Sequence, residues 1–154
     1  MTTTDKPRLV GINHIALEVG DVQAALDFYG AIFAFSLRGE NRDDDGKLTM
    51  AFIDMGDQFI ALSGGRTQPP DDHRHFGLVV DDRERVAELA RAAGARMVDG
   101  PFLDFRDPWG NRIEVVEYRD LQFTKAPTVL DKLGVAADKT EKAKKQLADK
   151  GIEI

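Results

Sequence analysis

HIALEVGD, at residues 14–21, recurs in altered form as HFGLVVDD at residues 75–82. Each version begins with a histidine, alternates as a β-strand does, reaches an aspartate and then changes to the spacing of a helix. The chain has only three histidines, and two of them stand at equivalent points of this repeat. The repeat predicts two copies of one supersecondary unit, and the other segments are interpreted around them.

The first copy predicts a strand over residues 9–19 with two different faces. His14 lies on one face, whereas Ile15, Leu17 and Val19 lie on the other. Asp21 then stands at the N-cap of a helix, with apolar residues at helical spacing: Val22, Ala25, Leu26, Tyr29, Ile32 and Phe33. We expect this helix to pack on the apolar face of the strand, which leaves His14 on the opposite face.

The remaining segments complete two modules of the same order, βαβββ. In the first module, strands are predicted over residues 35–38, 48–55 and 58–63, with a polar turn over 39–46. In the second module, a helix capped by Asp81 or Asp82 and ended by Gly94 precedes strands near 96–98, 102–105 and 112–118. The predicted organisation is a first module at 7–65, a second module at 73–119 and a helical tail at 120–154.

The tail departs from this repeat. Thr128–Leu133 is predicted as a short helix ended by Gly134. Asp138–Lys150 is predicted as a second helix, with Asp138 and Glu141 spaced as a capping box and Gly151 as its end. We interpret the tail as packing on the body of the protein or on a partner subunit.

Composition excludes several classes of protein. The chain has 154 residues, a net charge of −6 and a pI near 5.1, which do not favour binding to nucleic acid. No apolar run approaches the roughly 20 residues that cross a membrane, and the N-terminal residues lack the apolar core of a secretory signal. There is no cysteine, so thiolate metal sites and disulfides are absent. A cytoplasmic location is expected by default.

Four positions become equivalent when the last strands of the two halves are aligned: His14 and His75 on first strands, Ala61 and Glu114 on last strands. If the halves pair around a pseudo-twofold axis, these positions converge in one cleft. Two imidazoles and a carboxylate with open coordination positions suit Fe(II), and also Mn(II), Zn(II), Ni(II) or Co(II). Taken singly, each residue has a simpler interpretation: a histidine packed on a strand, or a glutamate that faces solvent or pairs with Arg112.

These motifs, with DPWGNRIE at residues 107–114, resemble the vicinal oxygen chelate superfamily, which includes glyoxalase I, extradiol dioxygenases, fosfomycin-resistance transferases and bleomycin-resistance proteins. The resemblance covers about residues 9–119. It implies an α+β fold in which two βαβββ modules form an incomplete, U-shaped mixed β barrel around one divalent metal, within a homodimer that takes a small-molecule substrate. Carried over by position, the implied metal ligands are His14, His75 and Glu114.

Ala61 departs from the glyoxalase I pattern, in which a glutamate at this position ligates the metal and acts as a base. Alanine does neither, so the resemblance favours dioxygenase chemistry with Fe(II) slightly over isomerase or lyase chemistry. Ala16 weakens the fosfomycin-transferase interpretation, because those enzymes place a threonine there. Dioxygenases generally add an acid–base histidine and a tyrosine, for which His73 and Tyr118 are the weak candidates.

Residues around the expected metal are candidates for binding the substrate. Arg112 and Val116 share a strand face with Glu114, and Arg112 suits either a substrate carboxylate or a contact with the metal ligand. Ala61 would line the same cleft. Trp109 either packs on the barrel edge, which we favour, or reaches the mouth of the cleft.

Two functions compete at this stage. The first is a metal-dependent enzyme acting on a small molecule that chelates the metal through two adjacent oxygens, either by dioxygenase or by glyoxalase I-type chemistry. The second is a metal-free protein that binds a small molecule or an antibiotic without turnover, as bleomycin-resistance members do. The complete set of His14, His75 and Glu114 favours the enzyme.

Overall fold

A computed structural model describes residues 6–154 of the chain. The first module contains β1 (His14–Glu18), α1 (Val22–Ile32), β2 (Ser36–Arg42), β3 (Leu48–Asp54) and β4 (Phe59–Ser63). The second contains β5 (Phe76–Val80), α2 (Arg83–Ala92), β6 (Arg96–Val98), β7 (Leu103–Arg106) and β8 (Arg112–Glu117). A 3-10 turn (Tyr118–Asp120) leads to the tail helices α3 (Pro127–Leu133) and α4 (Glu141–Ala148). The predicted α+β class with two βαβββ modules and a helical tail is confirmed.

Each module builds one four-stranded mixed sheet. The strand orders are β1-β4-β3-β2 and β5-β8-β7-β6, so the two sheets have the same topology. β1 runs parallel to β4, and β5 runs parallel to β8, whereas the other neighbours are antiparallel. The strands of the described residues form two separate sheets and no closed barrel.

One hydrophobic core joins the helix-covered sides of both sheets. It includes Leu17 and Tyr29 from the first module, and Leu78, Phe105 and Val115 from the second. The predicted helix N-caps are present. Asp21 accepts a hydrogen bond from the amide of residue 24 (2.8 Å), and Asp82 accepts one from the amide of residue 85 (2.9 Å). Along β1, Ile15 and Leu17 face the core and His14 does not, as the alternation predicted.

The segment before β1 does not form the predicted strand. Residues 6–13 are exposed, and the strand begins only at His14. Leu9, Val10 and Ile12 keep 104%, 97% and 67% of their surface accessible, although their spacing is that of a strand. A strand needs a neighbour for its backbone groups, and β4, the neighbour of β1, begins opposite His14. We call residues 6–13 the N-terminal arm.

The predicted end of β2 was also wrong. The polar run from Gly39 to Arg42 was expected to lie in a turn, but it pairs with β3 and belongs to β2. The register shifts between Leu37 and Gly39, so that Arg38 is an extra residue of the pairing. The tertiary pairing therefore overrides the turn preference of this polar sequence.

The tail helices are present, but the second begins at a different residue. Gly134 ends α3 with a left-handed backbone (φ 72°), as predicted. Thr140, not Asp138, caps α4: its hydroxyl accepts from the amide of residue 143 at 3.3 Å. Asp138 lies outside the first turn, where it cannot reach the helix amides. No helix within residues 6–154 is long and apolar enough to span a membrane.

Lys139 fixes the tail to the end of β8. Its ammonium group donates to the carbonyl of Tyr118 at 2.5 Å and to that of Phe123, and lies 3.3 Å from the centroid of the Tyr118 ring. The side chain is buried, and burial lowers the pKa of Lys139 below its usual value. The tail thus depends on a lysine held by two carbonyls and one ring.

Replacing Lys139 with Met is expected to lower the free energy of unfolding by about 1–3 kcal/mol, because two buried carbonyls lose their donor. The measurement is urea denaturation followed by circular dichroism. Lys142→Met, on an exposed position of α4, is the matched control and should change stability by less than about 0.5 kcal/mol. Equal losses in both variants would contradict the role assigned to Lys139.

Candidate metal centre

The two sheets turn the faces that carry His14 and Glu114 away from the shared core. Alternation places His14 opposite to Ile15 and Leu17, and Glu114 opposite to Ile113 and Val115, which are buried in the core. Each sheet therefore has one face on the core and one open face. We call them the His14 face and the Glu114 face.

The Glu114 face brings together two of the predicted ligands. His75 immediately precedes β5, and its Nε2 lies 3.4 Å from Oε2 of Glu114, on the neighbouring β8. The Nδ1 of His75 donates to the carbonyl of His73 at 2.8 Å. This bond leaves Nε2 with its lone pair, which is how metal-binding histidines are commonly oriented. Both side chains remain partly accessible, at 42% and 23% of their surface.

The His14 face orients its histidine in the same way. The Nδ1 of His14 donates to Oδ1 of Asn13 at 2.9 Å, which again directs the lone pair to Nε2. The imidazole stacks on the Phe59 ring with centroids 4.8 Å apart and planes 11° apart. His14 is therefore held in place by a neighbouring side chain on β4 and is exposed to solvent.

Within one chain, the three predicted ligands do not meet. His14 lies on one sheet, and His75 with Glu114 lies on the other, because the core separates the two open faces. Among residues 6–154, no group of three histidine, cysteine or acidic side chains is arranged to hold a metal ion. The convergence of these positions, which the sequence analysis made conditional on how the two halves pair, does not occur within a single chain.

Arg112 contacts a residue other than Glu114, the partner that the sequence analysis considered for it within the protein. Its Nε and Nη2 donate to Oδ2 of Asp104 at 2.8 and 2.6 Å, and its Nη1 donates to the carbonyl of Asp72 at 2.5 Å. Asp104 lies directly opposite Glu114 in the β7–β8 pairing and is 4% exposed. The guanidinium is thus committed to a buried carboxylate beside the candidate ligand. Sequence reasoning missed Asp104, although an acid within a predicted strand was the available signal.

The other candidate residues occupy distinct surroundings. Ala61 is 7% exposed and lies between Ala16 and Phe52 in the sheet, so this part of the His14 face is apolar. Val116 is half-buried next to Val79 on the Glu114 face.

Both acid–base candidates lie outside the strands that form the two open faces. His73 is exposed over 96% of its side chain and its Nε2 lies 3.6 Å from Asp72. Tyr118 follows the end of β8, and its ring is buried against Lys139. Tyr118 lies just beyond β8, which ends at Glu117, and so is not part of the strand that carries Glu114.

Trp109 packs against the first module, as favoured above. A side chain at Gly20 would overlap its indole, so the close approach requires glycine at that position. Trp109 follows the turn of Asp107, which is 1% exposed and accepts hydrogen bonds from the amides of residues 109 and 111 at 3.0 and 2.9 Å. The DPWGN motif thus forms a buried turn that fixes the second module against the first.

Asp107 also binds the first module directly. Its Oδ2 accepts from the Tyr29 hydroxyl and from the Asn111 amide, both at 2.8 Å. Asn111 in turn donates to the carbonyl of Glu18 at 3.0 Å and accepts from Arg66. Burial raises the pKa of Tyr29 well above its usual value, and the Asp107 carboxylate raises it further. Sequence analysis did not predict this connection.

Known relatives share the sequence at moderate identity. The chain is 29% identical over 120 residues to an uncharacterized protein of Pseudomonas aeruginosa, covering 67% of this chain and 85% of that protein. It is 26% identical over 121 residues to the lactoylglutathione lyase of Neisseria meningitidis serogroup A, covering 68% and 88%. One of these two relatives, the lactoylglutathione lyase, is named as an enzyme.

Solved structures share the fold. The fosfomycin resistance protein FosX from Listeria monocytogenes, complexed with Mn(II) and sulfate, superposes with a TM-score of 0.61 at 20% identity, covering 70% of this chain and 92% of that one. FosX from Mesorhizobium loti gives a TM-score of 0.60 at 18% identity, covering 82% and 99%. A sequence model of the Glyoxalase/Bleomycin resistance protein/Dioxygenase superfamily matches residues 11–115. The chain belongs to this superfamily.

Proposed function

We propose that this protein is an enzyme that uses one divalent metal to act on a small molecule with two adjacent oxygen atoms. The ligands would be His14 from one copy of the chain, and His75 and Glu114 from a second copy. One observation carries the proposal: both histidines bind an oxygen through Nδ1 and present Nε2, and Nε2 of His75 lies beside Oε2 of Glu114.

The arrangement of the sheets supports a site between two copies. The His14 face and the Glu114 face both turn away from the core, so each can meet the opposite kind of face on a second chain. β1 and β5, which carry or adjoin the two histidines, are both edge strands of their sheets. The N-terminal arm, with its exposed Leu9, Val10 and Ile12, continues β1 and would gain a neighbour in such a dimer.

Two imidazoles and one carboxylate fit Fe(II) best, with Mn(II), Zn(II), Ni(II) and Co(II) as alternatives. Mn(II) is present in the FosX structure from Listeria, which has the same fold. When bound by His14, His75 and Glu114, such a metal would supply Lewis-acid or oxygenase chemistry toward the substrate oxygens. Ala61, opposite Ala16 in the sheet, supplies neither a fourth ligand nor a base.

The chain's own residues would position the substrate. Ala16, Ala61 and Phe52 form a row of apolar side chains across the His14 face, suited to the carbon skeleton of a small molecule. Arg112 would act indirectly, because its hydrogen bond holds the Asp104 side chain next to Glu114. Among reactions of the superfamily, we favour oxygenase chemistry over that of lactoylglutathione lyase, since no carboxylate stands at Ala61.

Metal content tests this proposal. Protein purified without an affinity tag or chelator should contain or take up about one transition metal per chain, measured by elemental analysis. His75→Ala and Glu114→Gln should each lose about 10²-fold or more in metal affinity while circular dichroism stays unchanged. His73→Ala, at an exposed histidine two residues away, is the matched control and should bind metal normally.

The reaction class is tested next, with the metal-loaded protein. Oxygen consumption on addition of catechols would support the dioxygenase assignment, and turnover of a glutathione hemithioacetal would contradict it. If the wild-type protein takes up none of Fe(II), Mn(II), Ni(II) or Zn(II), the enzyme proposal is wrong. A metal-free protein that binds a small molecule would then be the remaining function.

A further inference from the structure

We propose that Arg38 binds an anionic group of the substrate, a carboxylate or a phosphonate, at a fixed place beside His14. The proposal rests on the function proposed above for the nature of the substrate, but the anion site itself exists on one chain. Three observations carry it: a bulge that directs the side chain, a ring that holds the guanidinium, and the lack of an acidic partner among residues 6–154.

The bulge in β2 directs Arg38 toward the His14 face. In the pairing with β3, Leu37 is opposite Ile53 and Gly39 is opposite Phe52, so Arg38 is the additional residue. Bulges turn a side chain out of the regular alternation, and they are frequent next to binding sites. Phe52 is opposite Ala61 in the next pairing, which places the bulge at the edge of the apolar row described above.

The Phe59 ring holds the guanidinium. The Cζ atom of Arg38 lies 4.2 Å from the ring centroid, in the range of a cation–π contact. The same ring stacks on the imidazole of His14. His14 is on β1 and Arg38 is on β2, and in the order β1-β4-β3-β2 these strands lie on opposite sides of β4, which carries Phe59. We therefore infer that the imidazole and the guanidinium approach the Phe59 ring from opposite directions. His14 and Arg38 are thus fixed relative to each other, with one aromatic ring between them.

The charge of Arg38 is not neutralised by the protein. In the described part of the chain, Arg38 makes no ion pair and no side-chain hydrogen bond, although Asp54 lies opposite Phe59 in the sheet. Arg42, on the same strand, provides the contrast, because it pairs with Glu40 at 2.9 Å and also donates to the carbonyl of Gly46. A guanidinium stacked by its face keeps its edge donors available, and that edge matches a planar or tetrahedral oxyanion.

This geometry defines a class of substrate. Two adjacent oxygens would bind the metal next to His14, an apolar skeleton would lie on Ala16 and Ala61, and a separate anionic group would reach Arg38. A matched pair of probes differs only in the last feature: catechol, which is neutral, and 3,4-dihydroxybenzoate, which carries a carboxylate. Arg38 would therefore select acidic substrates over neutral ones of the same shape.

The first test uses calorimetry on Mn(II)-supplemented protein without oxygen. The wild-type protein should bind 3,4-dihydroxybenzoate about ten-fold more tightly than catechol, the gain from one charge-assisted pair. Arg38→Gln should reduce this ratio to about one while leaving the affinity for catechol unchanged. Arg42→Gln, on the same strand, should keep the wild-type ratio. An unchanged ratio in Arg38→Gln would overturn the proposal.

The second test needs no metal and separates this proposal from the proposed function. Acetate and methylphosphonate are titrated into metal-free protein, and the Nε–Hε signals of the arginines are followed by NMR. The Arg38 signal, assigned by its loss in Arg38→Lys, should shift saturably with at least one anion, and the preferred anion identifies carboxylate or phosphonate. A signal that does not move with either would overturn the anion site, even if metal binding is found. A shift in a protein that takes up no metal would keep the anion site and remove the enzyme.

Discussion

Mixing His14→Ala protein with Glu114→Ala protein is expected to restore metal binding that neither variant has alone. In a mixed dimer, one site combines the intact His14 of one chain with the intact His75 and Glu114 of the other, while the second site carries both lesions. Equimolar mixing by partial unfolding and refolding should recover about a quarter of the wild-type metal content, since half of the dimers are mixed and half of their sites are intact. The measurement is elemental analysis after gel filtration.

A matched mixture controls this experiment. His75→Ala and Glu114→Ala both change the Glu114 face, so every site of their mixed dimer contains one lesion. This mixture should recover no metal. Recovery in the control would indicate that damage at either ligand is tolerated, and no recovery in the first mixture would contradict a metal site shared between two chains.

The repeat allowed the fold and the proximity of two candidate ligands to be predicted from sequence. Alternation with a period of two placed His14 opposite the buried face of Leu17, and the structure has them so. His75, immediately before β5, and Glu114, on the neighbouring β8, are two of the four positions expected to converge, and their side chains lie 3.4 Å apart. Such inferences succeed because they depend on local periodicity and on one strand pairing.

Features that depend on distant partners were not predictable in the same way. The N-terminal arm has the pattern of a strand but lacks a neighbouring strand, and no sequence pattern reveals that. Arg112 was assigned to the substrate or to Glu114, whereas Asp104, on the neighbouring β7, takes its hydrogen bonds. Arg38 was read as the end of a strand, because a bulge depends on the register with β3.

The orientation of the two modules depends on one buried carboxylate. Asp107 accepts four hydrogen bonds, two from backbone amides of its own turn and two from the side chains of Tyr29 and Asn111. Tyr29 belongs to α1, so this contact crosses from the second module to the first. This turn therefore contributes, together with the shared core, to the relative placement of the two sheets.

Asp107→Ala is expected to lower the free energy of unfolding by about 3–5 kcal/mol, because it leaves several buried donors without an acceptor. Tyr29→Phe removes one of these bonds and should cost about 1–2 kcal/mol. The measurement is urea denaturation near pH 7, with Asp44→Ala in an exposed turn as the control. A loss below about 1 kcal/mol for Asp107→Ala would mean that water replaces the carboxylate, and that the modules are held by apolar packing alone.

The pH dependence of stability gives an independent check on the same contact. The pKa of Tyr29 is raised in the folded protein, so the folded state holds the hydroxyl proton at a pH where the unfolded chain has lost it. The stabilisation is complete below the ordinary tyrosine pKa of about 10 and is lost as the pH rises through the raised value. Wild-type stability should therefore fall more steeply above about pH 10 than that of Tyr29→Phe. If both proteins lose stability equally there, the Tyr29 proton does not stabilise the junction, and Asp107 acts only within its own turn.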